Sequence, residues 1–151
     1  MKIFSINTDK MFTNITQLIN DSLPKEGNGL AHIYTPHTTA CITTLEDELL
    51  HLVDVRFFLD KVAPQHKEPE GDHKNIKYLH DLISLRNDTP VDERVNGHSH
   101  IRSLFFDSSQ MIPFSDGKLL TGDWKSLFFV ELDPSRDRKF YLNLVPTLEI
   151  E

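Results

Sequence analysis

Apolar and polar positions change period several times along this chain, and each change marks an element. Lys2 to Ile6 reads as a short strand. From Thr13 to Leu23 the residues Ile15, Leu18, Ile19 and Leu23 fall at helical spacing, with Thr13 or Asn14 placed to cap. Gly27-Asn28-Gly29 breaks the pattern before a strand-like run from Leu30 to Leu45. Residues 47 to 62 predict a helix with Asp47 and Glu48 in its first turn, and Leu50, Val53, Phe57 and Phe58 as its buried stripe. It ends before Pro64. Residues 64 to 77, rich in Pro, Lys, Glu, Gly and Asp, predict a mobile loop. A short apolar run from Leu79 to Leu85 and a loop from Arg86 to Pro90 follow. A second long helix is expected over 92 to 107, with Gly97, Ile101, Leu104 and Phe105 as its apolar stripe. The C-terminal third alternates as strands do. Gln110–Phe114 and Lys118–Thr121 flank Ser115-Asp116-Gly117, a hairpin signal. Ser126–Leu132 and Lys139–Val145 flank a longer turn, Asp133 to Arg138, and read as a second hairpin. No repeat or composition break divides the chain, so residues 1 to 151 read as one domain.

Composition narrows the classes. A hydrophobic content of 38% with 26% charged residues is globular. The net charge of -7 disfavours a general nucleic-acid binder, which would carry a basic stripe. The single cysteine, Cys41, sits in an apolar run and reads as a buried structural thiol. The first residues lack a signal-peptide pattern, and no run reaches transmembrane length, so a cytoplasmic enzyme or binding protein without a membrane partner is expected.

Candidate chemistry centres on His37-Thr38-Thr39-Ala40. Thr suits a strand, but a His beside Pro36 suggests an edge or bulge, where side chains are aimed into sites. Four further residues read as its partners: Glu46, Asp54, His80 and His100. Imidazoles and carboxylates together bind divalent metals or shuttle protons. Asp54 follows Leu50 by four positions and precedes Phe57 and Phe58, so it is expected at the core margin, where a carboxylate must be paired. His100 borders the apolar stripe of the second helix and shares a face with Asn96, four residues earlier. His98 points the other way and reads as solvated. His51, His66 and His73 read as surface histidines, and His32 as a sheet-face histidine without a role. At least three of His37, Glu46, Asp54, His80 and His100 are expected to line one cleft.

The order of these residues resembles the YjbQ family, whose members are often labelled secondary thiamine-phosphate synthase. The resembling pattern runs from His37-Thr38-Thr39-Ala40 through Glu46, Asp54, Tyr78-x-His80 and Asn96-x-x-x-His100-Ile101. It continues with Pro113, Gly117-x-Leu119, Gly122-x-Trp124, Glu131 and Arg136-x-Arg138. The resemblance implies an α+β fold, with a largely antiparallel twisted sheet and packed helices, and a homotrimer. It also implies a site built from the His, Glu, Asp and Asn positions. His37, Glu46, Asp54 and Asn96 are the catalytic candidates, and His37, His80 and His100 the candidate ligands of a divalent metal, zinc or magnesium. Two positions depart from the family: a Gly-Thr-Trp-Gln stretch is here Gly122-Asp123-Trp124-Lys125.

Thiamine-phosphate synthesis joins a pyrimidine diphosphate to a thiazole phosphate and releases pyrophosphate. That chemistry needs a cation on the diphosphate and donors for phosphate oxygens. Arg136 and Arg138 suit phosphate, with Thr38, Trp124 and Lys125 as further substrate-binding candidates, so a small phosphorylated or anionic substrate is expected. No P-loop is present, and neither Ser99 nor Ser103 reads as a nucleophile with a base. A metal- or small-ligand-binding protein without turnover is the alternative.

Overall fold

The computed structural model describes residues 1–65, 76–90 and 93–146, and in them eight strands form two antiparallel sheets. The larger sheet holds, in spatial order, β1 (Lys2–Asn7), β8 (Asp137–Pro146), β3 (Asn28–Tyr34), β5 (Ser109–Ser115) and β6 (Lys118–Leu119). The smaller holds β2 (Phe12–Asn14), β7 (Lys125–Glu131) and β4 (Ala40–Glu46). Three helices accompany them, α1 (Thr16–Asn20), α2 (Leu49–Val62) and α3 (Gly97–Ser103), with a 3-10 helix at Leu79–Leu85. The α+β class is therefore the one expected. Most of the loop expected at 64 to 77, and both His66 and His73, fall outside the described residues.

The sheets stack face to face. Ile33 and Phe140 of the larger sheet and Ile42, Leu127 and Phe129 of the smaller one are fully buried between them. The opposite face of the smaller sheet is apolar too. Phe128 and Val130 pack there with Leu59 of α2, flanked by Leu52 and Val55. Alternation along β7 thus serves two cores, which is why Leu127 to Val130 are all apolar.

Two strand expectations are corrected by this packing. The run from Leu30 to Leu45 is two strands in different sheets, separated at Thr35–Thr39, because Pro36 cannot donate to a ladder. The strands around Asp133–Arg138 form no hairpin: β7 lies between β2 and β4, and β8 between β1 and β3. The β5–β6 hairpin does form, on a two-residue turn with positive φ at Asp116 (47°) and Gly117 (80°), as a type I′ turn requires.

Both long helices are corrected as well. Helix α2 has apolar residues on two faces, so period alone does not choose the buried one. The sheet takes Leu52, Val55 and Leu59, leaving Leu50, Phe57 and Phe58 at 69, 64 and 48% exposure. Asp54 lies on that exposed face. Helix α3 is shorter than expected and also turned: Ile101, Leu104 and Phe105 are exposed, while His98, Ser99 and Arg102 are buried. Its buried side is polar because Arg102 donates to Ala63 O at 2.8 Å and pairs with Asp60 at 2.7 Å, tying α3 to the end of α2. Gly97 lets α3 pack closely on the start of the 3-10 helix, since a Cβ there would sit 2.5 Å from Tyr78 Cβ.

Candidate functional site

Three chain crossings between the sheets meet at one edge, and the site is built on them. They are Thr8–Met11, Thr35–Thr39 and Leu132–Arg136. Thr8 N–H donates to Arg136 O at 3.1 Å, Leu132 N–H to Thr39 O at 3.1 Å, and Glu131 N–H to Met11 O at 2.8 Å. The backbone is thus held where it leaves the ladders, and its side chains can be aimed reproducibly.

Behind this edge lies a buried ion pair. Arg138 presents Nε and Nη2 to the two Glu131 carboxylate oxygens, both at 2.6 Å, and Nη2 also donates to Thr39 Oγ1 at 2.9 Å. Glu131 additionally accepts from Thr8 Oγ1 at 2.8 Å and from Asp133 N–H at 3.0 Å. Every polar neighbour of the carboxylate is therefore a donor, the condition for burying a charge. A second carboxylate, Asp133, is also buried. Asn96 Nδ2 donates to its Oδ2 at 3.2 Å, and Arg136 Nη2 stands 2.7 Å from the same oxygen, at an angle that makes no hydrogen bond.

In front of these pairs is a cavity of about 320 Å³. His37, Thr38 and Arg136 line it from the crossings; Arg138 from β8; His80 from the 3-10 helix; and Asn96 and His100 from the N-cap and body of α3. Pro36, Thr39, Ile83 and Glu93 complete the wall. The His80 and His100 rings face each other with centroids 4.3 Å apart. Lys139 N–H donates to His37 Nε2 at 2.9 Å, so that ring accepts there and carries its proton on Nδ1. Burial lowers the pKa of His37 below 6.5, and the neighbouring Arg138 lowers it further. Burial likewise lowers that of His100, with His80 beside it adding to the effect. Both shifts favour the neutral imidazole.

Several buried polar atoms of the cavity wall make no hydrogen bond, although Arg136 Nη2 keeps its ion pair with Asp133. They are Arg136 Nε and Nη2, His80 Nδ1 and Asn96 Oδ1. The Asn96 amide orientation is fixed by its bond to Asp133, so Oδ1 is an acceptor without a donor. Buried groups of this kind are costly unless something meets them.

The cavity thus gathers His37, Thr38, His80, Asn96, His100, Arg136 and Arg138. Four other candidates lie elsewhere. Asp54 is exposed on α2, and not at the core margin. Glu46 is exposed at the end of β4, paired across the ladder with Lys125. Trp124 and Lys125 adjoin the far end of β7, which is about 20 Å long at a strand's rise per residue. The departures at Asp123 and Lys125 share that end. Asp133 and Glu131, which set both arginines, were missed as site residues; their signal is two alternating carboxylates just ahead of Arg136-x-Arg138.

His98 is also a correction. It is buried, with Nε2 3.2 Å from Ser99 Oγ, and burial together with Arg102 lowers its pKa below 6.5. Three imidazoles whose folded-state pKa values fall below the unfolded value give a defined pH dependence. Below about pH 6.5 the unfolded chain binds more protons, so stability is full above that pH and falls as pH drops toward the lowered values. The melting temperature should fall between about pH 7 and 5, and His98→Asn should flatten the fall.

The candidate metal ligands fit poorly within one chain. His37 has one nitrogen occupied by Lys139, and among the described residues no group of three His, Cys, Asp or Glu side chains converges to hold an ion. His80 and His100 offer two imidazoles, and a catalytic zinc takes three protein ligands. Cys41 is no substitute: it is buried, and its thiol pKa is pushed up to about 12, chiefly by that burial. Among the described residues no helix is long and apolar enough to cross a membrane.

A family model described as UPF0047 protein YjbQ-like matches residues 2–147. A UPF0047 protein of Methanocaldococcus jannaschii is 33% identical over 147 residues, covering 94% of this chain and 91% of that one. The YjbQ protein of Escherichia coli O157:H7 is 27% identical over 130 residues, covering 85% and 77%. Among solved structures, an uncharacterized conserved YjbQ/UPF0047 protein from Clostridium acetobutylicum superposes with a TM-score of 0.72. It is 27% identical and covers 96% of this chain and 100% of its own. A conserved hypothetical protein from Thermus thermophilus reaches 0.73 at 25% identity, covering 96% and 100%.

Proposed function

The chain belongs to the YjbQ family, and from that premise we propose that its cavity binds a small phosphorylated substrate and acts on it. The observation that carries this reading is Arg136, whose buried Nε and Nη2 have no hydrogen-bond acceptor although Asp133 stands beside them. A guanidinium held by a carboxylate from behind, with donors left over, suits phosphate oxygens. Asn96 Oδ1 calls for a donor, which an N–H on a heterocycle supplies. The reaction that uses both is the family's thiamine-phosphate synthase type. Arg136 and Arg138 hold the phosphate oxygens and Asn96 orients the ring, while the thiazole nitrogen lone pair forms the new C–N bond as the C–O bond to pyrophosphate breaks, the electron pair leaving with pyrophosphate and the positive charge resting on the thiazolium. A cytoplasmic location belongs to the same reading. Trp124, Lys125 and Glu46 have no part in it.

A binding protein without turnover is the second reading, favoured by the absence of a nucleophile paired with a base among the lining residues. Calorimetric titration with inorganic pyrophosphate tests the shared part of both. The wild type should bind it, and Arg136→Ala should weaken binding by about ten- to a hundredfold, the loss expected for hydrogen bonds to a charged group. Equal affinity in the two proteins would overturn the reading. Pyrophosphate release from a mixture of the pyrimidine diphosphate and the thiazole phosphate separates enzyme from binding protein.

A further inference from the structure

Asp133 does not line the cavity, yet it is buried against two residues that do. Its Oδ2 accepts from Asn96 Nδ2 at 3.2 Å and lies 2.7 Å from Arg136 Nη2. Its own backbone is held, since Asp133 N–H donates to Glu131 Oε1 at 3.0 Å. The backbone of Asn96 is held too, by the start of α3, where its carbonyl accepts from Ser99 N–H at 2.8 Å. What remains open is the turn of the Asn96 side-chain amide, and Asp133 settles it.

An amide has one side that donates and one that accepts, and the two are nearly equal in shape. A carboxylate oxygen only accepts, so the NH2 side of Asn96 must face Asp133. Asn96 Oδ1 is thereby turned away from it. The side chain is 3% exposed on the cavity wall, and Oδ1 makes no hydrogen bond. A buried acceptor left unmet costs free energy, and a ligand with a donor at that point relieves the cost. A ligand with an acceptor there sets oxygen against oxygen.

We infer that Asp133 sets ligand choice in this cavity: acting through Asn96, it selects an anion whose ring carries an N–H donor and rejects the same anion with an acceptor in that place. Asp133 is a positioning residue, since the ligand meets Asn96 and not the carboxylate behind it. Discrimination by a buried hydrogen-bonding group is stronger than discrimination by shape alone. The inference rests on the phosphate reading for what the arginines hold, and goes beyond it in what the ring must offer and in the residue that demands it.

Two pyrimidinylmethyl phosphates, one with an amino group on the ring and one with a methoxy group in its place, are the probes. Calorimetric titration of the wild type should favour the amino compound by about ten- to a hundredfold, the loss expected when a buried acceptor stays unmet. Asp133→Ala leaves the Asn96 amide free to turn, so the two affinities should come within about threefold of each other. Asp133→Asn should keep the wild-type ratio. Its side-chain oxygen must face Arg136, which only donates, and so still receives Asn96 Nδ2. A general loosening of the site weakens both compounds alike and leaves the ratio unmoved, which separates positioning from a structural role. Asp133→Leu repeats the measurement if the alanine variant does not fold. Equal affinities in the wild type, an unchanged ratio in Asp133→Ala or Asp133→Leu, or a ratio lost in Asp133→Asn would overturn the inference while pyrophosphate binding stands. A wild type that binds neither compound nor pyrophosphate overturns the phosphate reading and this inference with it.

Discussion

Removing Glu131 should be the most damaging single change in this protein. Glu131→Ala leaves the Arg138 guanidinium buried with its charge uncompensated and strips an acceptor from Thr8 Oγ1 and from Asp133 N–H. Breaking a buried pair from one side costs about 3 to 5 kcal/mol, against a total of about 5 to 15 for a domain. The penalty belongs to the stranded charge, which gives the account a sharper test than the single variant. The double change Glu131→Met with Arg138→Met should be markedly more stable than Glu131→Ala, because both charges leave together. Urea unfolding of the three proteins decides the point. A single variant within about 1 kcal/mol of the wild type would show that the pair carries no such weight.

The second large effect concerns assembly. The resemblance to the family implies a homotrimer. Phe128 and Phe129 are covered within the chain, by the α2 side and by the larger sheet. Uncovered apolar residues remain on the larger sheet, Met111 on β5 and Leu144 and Val145 on β8, and in the helical layer, Leu50, Phe57 and Phe58 on α2, Ile101 on α3, and Leu104 and Phe105 just after it. A patch of this size usually marks an interface. Burying a large apolar side chain contributes about 1.5 to 3 kcal/mol, and placing an aspartate there reverses the sign. Phe57→Asp with Phe58→Asp should therefore lower the mass in solution from a multiple of 17.5 kDa to 17.5 kDa, with the far-UV spectrum unchanged. Wild-type protein of 17.5 kDa at micromolar concentration would remove the interface altogether.

Much of the fold was legible because local chemistry and tertiary packing agree. Asp116-Gly117 specifies its hairpin whatever surrounds it. Glu48 accepts from Leu50 N–H and His51 N–H and starts α2 by itself, which also holds its carboxyl below the ordinary range. What was illegible is a choice between near-equal alternatives. Helix α2 offers Leu50, Val53, Phe57 and Phe58 on one side and Leu52, Val55 and Leu59 on the other; only the curvature and contents of the neighbouring sheet decide. Helix α3 goes further, burying Arg102 and exposing Leu104, because a salt bridge to Asp60 and the close approach at Gly97 outweigh the apolar stripe. Of the site, the residues on the crossings were legible, since Pro36 and the Arg136-x-Arg138 pair interrupt strand patterns. Asp133 was not: a carboxylate before a proline reads as a turn residue until its burial is known.

The most direct test of the proposed site is a crystal structure of the protein with inorganic pyrophosphate. A phosphate group within hydrogen-bond distance of Arg136 Nε and Nη2, in the cavity shared by His100 and Arg138, is the expected result. Pyrophosphate found instead on the Trp124–Lys125 surface, with the cavity donors still unmet, would contradict the account.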